Sequence, residues 1–333
     1  MSGEPLRVAI IGCGLIGQKR ARALPGGRLV ACADVVPERA AALAASVEGA
    51  VSYGDWRELL ERTACDVVIV ATLHDTLAEI TAASIAAGRH VLVEKPAGRR
   101  AAELEPLLGA AEARGVLVRV GFNHRYHRAL RKARALVDEG AVGELMFVRG
   151  RYGHGGRLGY EREWRADPEL SGGGELIDQG PHLIDLARWF LGDLPSVDGF
   201  AAMFYWNMPV DDNAFMLLRT VEGKTAFLHV SSSEWKNMFS LEIYGKGGKI
   251  DISGLGGSYG TERVTWYRMT PEMGPPETTI WEYPMADDSW SAEFAEFAHD
   301  IALKRQPSPG LADASAVLSI IETIYAASHD HRS

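Results

Sequence analysis

The sequence has only three cysteines, Cys13, Cys32 and Cys65. Their number is odd and their spacing fits no zinc pattern. That excludes a disulfide framework and reads as reduced thiols serving as small core residues. No stretch approaches 18 uninterrupted apolar residues, so no membrane span is expected. The residues from Met1 to Arg7 lack a basic segment followed by an apolar run, and Val8–Ile11 reads as a strand, not a secretion signal. Positive charge is in deficit: 35 lysines and arginines face 44 aspartates and glutamates, for a net charge of -9. Nucleic acid and an anionic membrane are therefore not expected as partners, although a local cationic cluster can still hold an anionic substrate. Internal repeats, low-complexity tracts and long linkers are also lacking. The expectation is a cytoplasmic chain.

What remains is an ordinary globular composition, 47% hydrophobic and 24% charged, over 333 residues. That length suits two domains and buries a large core without a metal or disulfide staple. The first 121 residues alternate apolar strand candidates (Arg7–Ile11, Leu29–Ala33, Val67–Val70, His90–Val93, Val116–Val120) with helix candidates (Ile16–Leu24, Glu38–Ala45, Trp56–Arg62, Leu77–Ala87, Ala102–Arg114). Near-continuous apolar strands mark a parallel sheet buried on both faces, and the alternation marks a doubly wound α/β domain. Beyond Gly121 the strands alternate apolar with polar, as in Leu145–Arg149, Ala214–Arg219, Ala226–Ser231 and Ser240–Tyr244, and every tryptophan but Trp56 lies past residue 160. This predicts an α+β domain with a large open antiparallel or mixed sheet. One helix is expected over Gly174–Leu191, and two more over Ser291–Leu303 and Asp313–Ser328. The expected organisation is a dinucleotide-binding Rossmann domain over 1–122, a substrate-binding and oligomerisation sheet domain over 123–310, and a terminal helix, 311–333, packing back on the first domain.

Gly12-Cys-Gly14-Leu15-Ile16-Gly17 follows the first strand and opens the first helix. Glycines at this spacing permit a tight turn (Gly12), a close approach of backbone to a pyrophosphate (Gly14) and close helix–strand packing (Gly17), and the helix N-terminus presents its amides to phosphates. Asp34 ends the second strand, where a carboxylate accepts hydrogen bonds from the adenosine ribose and repels a 2′-phosphate, favouring NAD over NADP. Arg39 nearby softens that preference. The competing reading of Asp34 is a helix cap or solvated turn. Thr72 and His74, after the strand Val67–Val70, are further cofactor candidates, with a solvated-loop role the competing reading of His74. Glu94-Lys95-Pro96 ends the strand His90–Val93. Ligands of open α/β sheets sit at the carboxyl ends of strands, so Glu94 and Lys95 are placed with the cofactor, and Pro96 fixes the turn through a cis bond.

In the second domain Asp178 and His182 stand four residues apart, which on one helix puts them on one face, with Asp185 following. His182 has the intrinsic pKa to take a proton from a hydroxyl near neutral pH, with Asp178 orienting it or a substrate hydroxyl. Gly172–Gly174 remove side-chain bulk where cofactor and substrate approach. A metal reading fails for want of a second histidine on that face. Asn123, Arg125 and Tyr126, just after the last Rossmann strand, and the Gly-rich loop holding Arg157, Tyr160, Trp164 and Arg165, are the substrate-side candidates. Aromatic faces stack on sugar C–H surfaces and Arg forks bind oxygens. If Arg157 and Arg165 converge, a nucleotide-sugar or sugar acid becomes a candidate substrate. The competing reading makes Trp164 core and the arginines solvated.

These motifs together resemble the glucose-fructose oxidoreductase / inositol dehydrogenase / MocA (Gfo/Idh/MocA) family. The resemblance rests on the glycine loop, Asp34, Gly88-Arg-His-Val-Leu-Val-Glu-Lys-Pro96, Gly121-Phe-Asn-His-Arg-Tyr126, Gly172-Gly-Gly-Glu-Leu-Ile-Asp178-Gln-Gly-Pro-His182, Asp211-Asp-Asn213 and Ile243-Tyr-Gly-Lys-Gly-Gly248. It implies that Lys95 contacts the reacting hydroxyl, that Asp178 and His182 are the family's catalytic pair, that Asn123 and Arg125 form its Asn-x-Arg element, and that the sheet face pairs subunits into dimers or tetramers. Two departures stand out: Leu73-His74-Asp75 replaces a more usual Pro-Asn, and Arg20 stands where many relatives have His. The function implied is NAD-dependent hydride transfer at a secondary alcohol of a sugar, sugar derivative or inositol. A redox-assisted glycoside hydrolase or lyase, and a non-catalytic nucleotide-binding regulator, are the other activities this scaffold carries.

Overall fold

The computed structural model describes residues 4–272 and 274–330. They group into two compact units: one holds the chain through Phe122 together with Trp290–Ala316, the other holds Asn123–Ser289 and the residues from Val317 onward. These groupings differ from the expected 123–310 and 311–333 segments. Trp290–Ala316 groups with the first unit, and the last helix from Val317 with the second.

The first unit is built on six parallel strands, β1 (Leu6–Ile11), β2 (Gly27–Ala33), β3 (Val51–Tyr53), β4 (Val67–Val70), β5 (His90–Glu94) and β6 (Val118–Gly121), in the order β3-β2-β1-β4-β5-β6. Helices α1 (Leu15–Ala21), α2 (Pro37–Ala45), α3 (Trp56–Arg62), α4 (His74–Ala86) and α5 (Ala101–Arg114) form the crossovers. The order reverses between β1 and β4, and in such sheets the crevice beyond the carboxyl ends at this switch point takes the ligand. Val8, Ile10, Val67, Ile69 and Leu92 pack with Phe294 and Phe297 in the core. The edge strand β3 escaped the sequence pattern because it is three residues long and largely exposed, so it has no apolar run to show.

The second unit is an eight-stranded sheet of β7 (Leu145–Gly153), β8 (Ser196–Ala202), β9 (Asn213–Arg219), β10 (Thr225–Ser231), β11 (Met238–Gly245), β12 (Gly248–Ser253), β13 (Glu262–Arg268) and β14 (Glu277–Tyr283), in the order β14-β13-β12-β11-β7-β10-β9-β8. Only β7 and β10 pair in parallel. Along β11, Phe239, Leu241 and Ile243 are buried while their neighbours are partly exposed, the period-two signature of a sheet with one packed face. Helices α6 (Arg128–Asp138), α7 (Pro168–Ser171), α8 (Glu175–Asp178) and α9 (Gly180–Leu191) accompany it, and α9 packs on β7 and β10.

The single helix expected over Gly174–Leu191 is two helices. Pro181 has no amide to bond back to Ile177 and its ring crowds the preceding turn, so it serves at the first turn of a new helix, with Gln179 as the joint. The chain closes with α10 (Ser289–Leu303) and α11 (Leu311–Asp330). Residues Leu311–Ser328 of α11 are long and apolar enough to cross a membrane. Ala314, Val317, Leu318, Ile321 and Ile324 are nevertheless buried inside the protein, as in a core helix.

Candidate functional site

In the first unit the three glycines do three different jobs. Gly12 has φ +93°, and a Cβ there would lie 2.4 Å from the Ala71 carbonyl oxygen. At Gly17 a Cβ would lie 1.9 Å from the Gly12 carbonyl oxygen, so helix and loop pack as closely as backbone allows. At Gly14 a Cβ would meet nothing within 4 Å: this glycine has no protein neighbour to avoid, and its backbone is open to a ligand. Gly14 also begins α1 without any side-chain cap, Leu15 is 71% exposed and Ile16 is half-buried. That is the cradle a pyrophosphate needs.

Asp34 is buried and bridges the loop to the turn after β2. One oxygen accepts from the Cys13 amide at 2.7 Å, the other from the Val36 amide at 2.8 Å. It is thus neither a solvated turn residue nor a cap of α2, and a carboxylate with two bonds made keeps lone pairs for ribose hydroxyls. Arg39 is exposed on α2, and Thr72 accepts from the Thr76 hydroxyl at 2.9 Å. His74 begins α4 and is buried, which corrects the solvated-loop reading.

Lys95 follows β5, half-buried, with a cis bond to Pro96. The carboxylate of Glu94 is engaged behind it. Arg20, with no exposed surface, reaches Glu94 at 2.6 Å and Glu293 at 2.5 Å while its guanidinium lies 4.4 Å from the Trp290 ring centre. Burial pushes the Glu293 carboxyl upward. Opposite Glu94 in the ladder stands Gly121, where a Cβ would sit 2.8 Å from Arg20. Sequence reasoning noticed Arg20 only as an oddity. Glu293 carried no signal, because nothing in spacing links residues 20, 94 and 293.

In the second unit Asp178 ends α8 and His182 lies in the first turn of α9, both buried. The His182 ring stacks on His124 with centroids 3.6 Å apart. Arg165 donates to Asp178 at 2.8 Å. Asp178 raises the pKa of Arg165 above its ordinary value. Tyr152 and Tyr259 are held above the ordinary tyrosine range, first by burial; Tyr259 raises Tyr152 further, the hydrogen bond with Tyr152 draws Tyr259 part of the way back, and the charges of Asp178 and Glu175 raise both, so both hydroxyls stay protonated.

Glu175, not singled out in the sequence, is fully buried. The Tyr160 hydroxyl donates to it at 3.3 Å, and His154 Nε2 stands 3.5 Å away. Burial raises its carboxyl. For His154, burial works downward and Glu175 outweighs it, for a net rise.

Other expected substrate residues are committed elsewhere. Arg125 is buried in a two-pronged ion pair with Asp185, at 2.7 and 2.6 Å, so its fork belongs to the protein. Asn123 donates to Ser289, and Tyr126 is core. Arg157 and Arg165 do converge, but on Glu163, at 2.7 and 3.6 Å. Their charge is answered within the protein, which weakens the case for an anionic substrate. Trp164 is half-buried beneath Arg165.

Gly173 and Gly174 also have an internal reason. A Cβ would lie 2.2 Å from the Tyr325 hydroxyl at Gly173 and 1.9 Å from the Asp211 carbonyl at Gly174. On the Cβ side these glycines pack against Tyr325 and Asp211. Among the described residues no group of three His, Cys, Asp or Glu side chains is placed to hold a metal ion.

Two family models match the chain: an oxidoreductase family NAD-binding Rossmann fold over residues 6–122 and a GFO/IDH/MocA C-terminal domain over residues 130–251. Levoglucosan dehydrogenase of Pseudarthrobacter phenanthrenivorans is 30% identical over 243 residues, 66% of this chain and 60% of that protein. Inositol 2-dehydrogenase 2 of Saccharopolyspora erythraea is 31% identical over 234 residues, 66% and 64% of the two chains. The chain thus spans less than two thirds of the length of these two relatives. Inositol 2-dehydrogenase of Rhizobium meliloti is 29% identical over 77% of this chain and 76% of its own. Among solved structures, levoglucosan dehydrogenase in complex with NADH and levoglucosan superposes with a TM-score of 0.87 at 24% identity, over 99% of this chain and 98% of that one. GenD2 from gentamicin A biosynthesis, in complex with NAD, superposes with a TM-score of 0.84 at 26% identity, over 99% and 96%. With both of its parts matched, the chain belongs to the Gfo/Idh/MocA oxidoreductase family.

Proposed function

We propose that this protein is an NAD-dependent dehydrogenase of a secondary alcohol on a sugar, sugar derivative or inositol. The observation that carries the reading is the glycine loop. Gly12 and Gly17 are glycine because protein atoms leave no room, whereas Gly14 is glycine facing open space beside the buried carboxylate of Asp34. Gly12, Gly14, Leu15, Ile16 and Gly17 would hold the pyrophosphate side of NAD, and Asp34 the ribose hydroxyls, with repulsion of a 2′-phosphate setting NAD above NADP. The bound nicotinamide supplies the hydride acceptor.

The chain's own residues do the rest. Lys95 donates a hydrogen bond to the reacting oxygen and stabilises its developing charge. His182 takes the hydroxyl proton. Asp178, its orientation fixed by Arg165, holds a neighbouring hydroxyl or His182 itself. The levoglucosan and inositol dehydrogenases among the relatives support a polyhydroxylated neutral substrate, and the pairing of Arg157 and Arg165 with Glu163 points the same way. We further propose a cytoplasmic homodimer or homotetramer, assembled through the open sheet face.

The test is absorbance at 340 nm with NAD, then NADP, against free sugars, inositols, sugar acids and nucleotide-sugars. NADH formed with one of them establishes the activity. Cleavage of a glycoside with no net NADH moves the assignment to redox-assisted hydrolysis. Lys95→Ala is expected to bind NAD like the parent and lose about 100-fold or more in kcat. Turnover at the parental rate removes Lys95 from the mechanism.

A further inference from the structure

We propose that the second unit carries an aromatic subsite, made by Tyr205, Trp206 and Trp235, that stacks on a second sugar ring, so that the substrate is a glycoside or oligosaccharide. The proposal rests on the sugar-dehydrogenase reading and narrows its substrate class.

The feature begins as an anomaly of exposure. Tyr205 is 54% and Trp235 70% exposed, yet neither side chain is loosely held. The Tyr205 and Trp235 rings meet at 81° with centroids 4.7 Å apart, and Tyr205 meets Trp206 at 85° and 5.0 Å. Rings at right angles leave a corner with a π-face for a floor and a second for a wall. The loop that presents it is fixed. The backbone amides of Phe204, Tyr205 and Trp206 all donate to one buried carboxylate, Asp212, at 2.9, 2.6 and 2.9 Å, and the Trp206 indole donates to the Ser232 carbonyl at 2.9 Å. Trp235 has φ +60°, a left-handed backbone that bulky residues avoid and that persists only where its surroundings impose it.

The corner packs on a loop that also reaches the buried polar groups of the candidate site. Gly155 and Gly156 pass against the two indole-bearing residues: a Cβ would lie 3.0 Å from the Trp235 backbone at Gly155, and 2.3 Å from the Trp206 ring at Gly156. Larger residues would push the loop off them. That loop runs from His154, which faces Glu175 at 3.5 Å, to Tyr160, which bonds Glu175 at 3.3 Å and lies 5.5 Å from the Trp206 ring. Glu175 is one helical turn before Asp178. The loop thus ties the buried Glu175, beside Asp178, at one end to the exposed rings of Tyr205 and Trp235 at the other.

A sugar ring has polar edges and C–H faces, and aromatic rings bind such amphipathic bodies at little cost in side-chain entropy. A monosaccharide held at Asp178 has no use for this corner; a second ring linked to it does.

The test compares kcat/KM for monosaccharides and for their phenyl and glucosyl glycosides, in the parent and in Trp235→Ala, Tyr205→Ala and Trp235→Tyr. The parent is expected to prefer the two-ring substrates. Trp235→Ala and Tyr205→Ala should lose about tenfold on those alone, Trp235→Tyr should retain most of the preference, and size by light scattering should be unchanged. Equal loss on one- and two-ring substrates, no preference in the parent, or dissociation of the assembly in Trp235→Ala overturns the subsite. The last outcome would assign the corner to a second copy of the chain. Calorimetric titration of the NAD-loaded protein with the glucosyl glycosides separates the two ideas. If no sugar yields NADH but Trp235→Ala abolishes glycoside binding, the subsite stands and the dehydrogenase reading falls. If parent and variant bind alike, or neither binds, the subsite falls.

Discussion

At the scale of single residues, His90 shows how a backbone contact sets a protonation state. It opens β5, half-buried, and its Nδ1 accepts a hydrogen bond from the Leu117 amide at 3.0 Å. A nitrogen that accepts cannot carry a proton, so the ring is neutral with its hydrogen on Nε2. Burial holds its pKa below the ordinary value. An unfolded histidine takes a proton near pH 6.5. Just below that pH the unfolded chain therefore binds the extra proton and the folded one does not. Stability falls as pH drops from about 6.5 toward the folded pKa, by at most about 1.4 kcal/mol per pH unit for one site. His229, also lowered by burial, adds to the loss. His154 acts in the opposite sense: its contribution is present below pH 6.5 and fades as pH rises through its raised folded pKa. His90→Asn keeps a side-chain acceptor and removes the titration. Urea midpoints at pH 5.5 and 7.5 should lie closer together in this variant than in the parent. Equal gaps would show that His90 does not titrate in this window.

At the scale of elements, the glycine loop separates folding from binding. Gly17→Ala places a Cβ 1.9 Å from a backbone oxygen that has nowhere to go, because α1 and the loop are both packed. Overpacking of this kind costs about 1–3 kcal/mol or more. Gly14→Ala meets nothing within 4 Å, and its backbone, φ -68° and ψ -162°, suits alanine. Thermal melts without nucleotide are therefore expected to show Gly17→Ala destabilised and Gly14→Ala within about 0.5 kcal/mol of the parent. Titration with NAD should show Gly14→Ala weakened. Unchanged NAD affinity in Gly14→Ala would mean that the open side of the loop is not where the pyrophosphate lies.

The same loop shows what a sequence can reveal. Gly12, Gly14 and Gly17 were legible because each answers a local geometric demand between a strand and a helix that are themselves periodic. The strand Val67–Val70 and the helix Trp56–Arg62 were legible to the residue for the same reason. The joint at Gln179 was obscured because apolar spacing runs on across it, and only Pro181 betrays it. Arg20 with Glu94 and Glu293, Arg125 with Asp185, and Glu175 with His154 were not legible. Each joins elements far apart in the chain, and a buried ion pair leaves no periodicity in either partner's neighbourhood. Gly173 and Gly174 were seen, but the protein groups they make room for were not: the Tyr325 hydroxyl, about 150 residues away, lies against Gly173, and the Asp211 backbone lies against Gly174.

At the scale of the whole molecule, the eight-stranded sheet leaves one face whose side chains run in cross-strand rows. One row takes Phe200, Phe215 and His229 from β8, β9 and β10; the rings stack with centroids 5.2 and 4.3 Å apart. The next takes Leu217, Phe227, Arg149 and Glu242 across β9, β10, β7 and β11, where Arg149 meets Glu242 at 2.8 Å. Phe200 and Phe227 remain 43% and 49% exposed. An apolar patch bordered by paired charges has the composition of an interface centre with its rim. The same patch on a second copy, turned by a two-fold axis, sets phenylalanines against phenylalanines. Phe227→Lys brings two like charges together at the centre of such a contact and has no partner there. Light scattering is expected to show a smaller species for this variant, with far-UV circular dichroism unchanged because Phe227 is half-exposed within the protomer. Val221→Lys adds the same charge on the exposed turn after β9 and should leave the size alone. If both variants keep the parental mass, the assembly uses another surface; if the parent itself runs as a monomer, the aromatic rows face solvent.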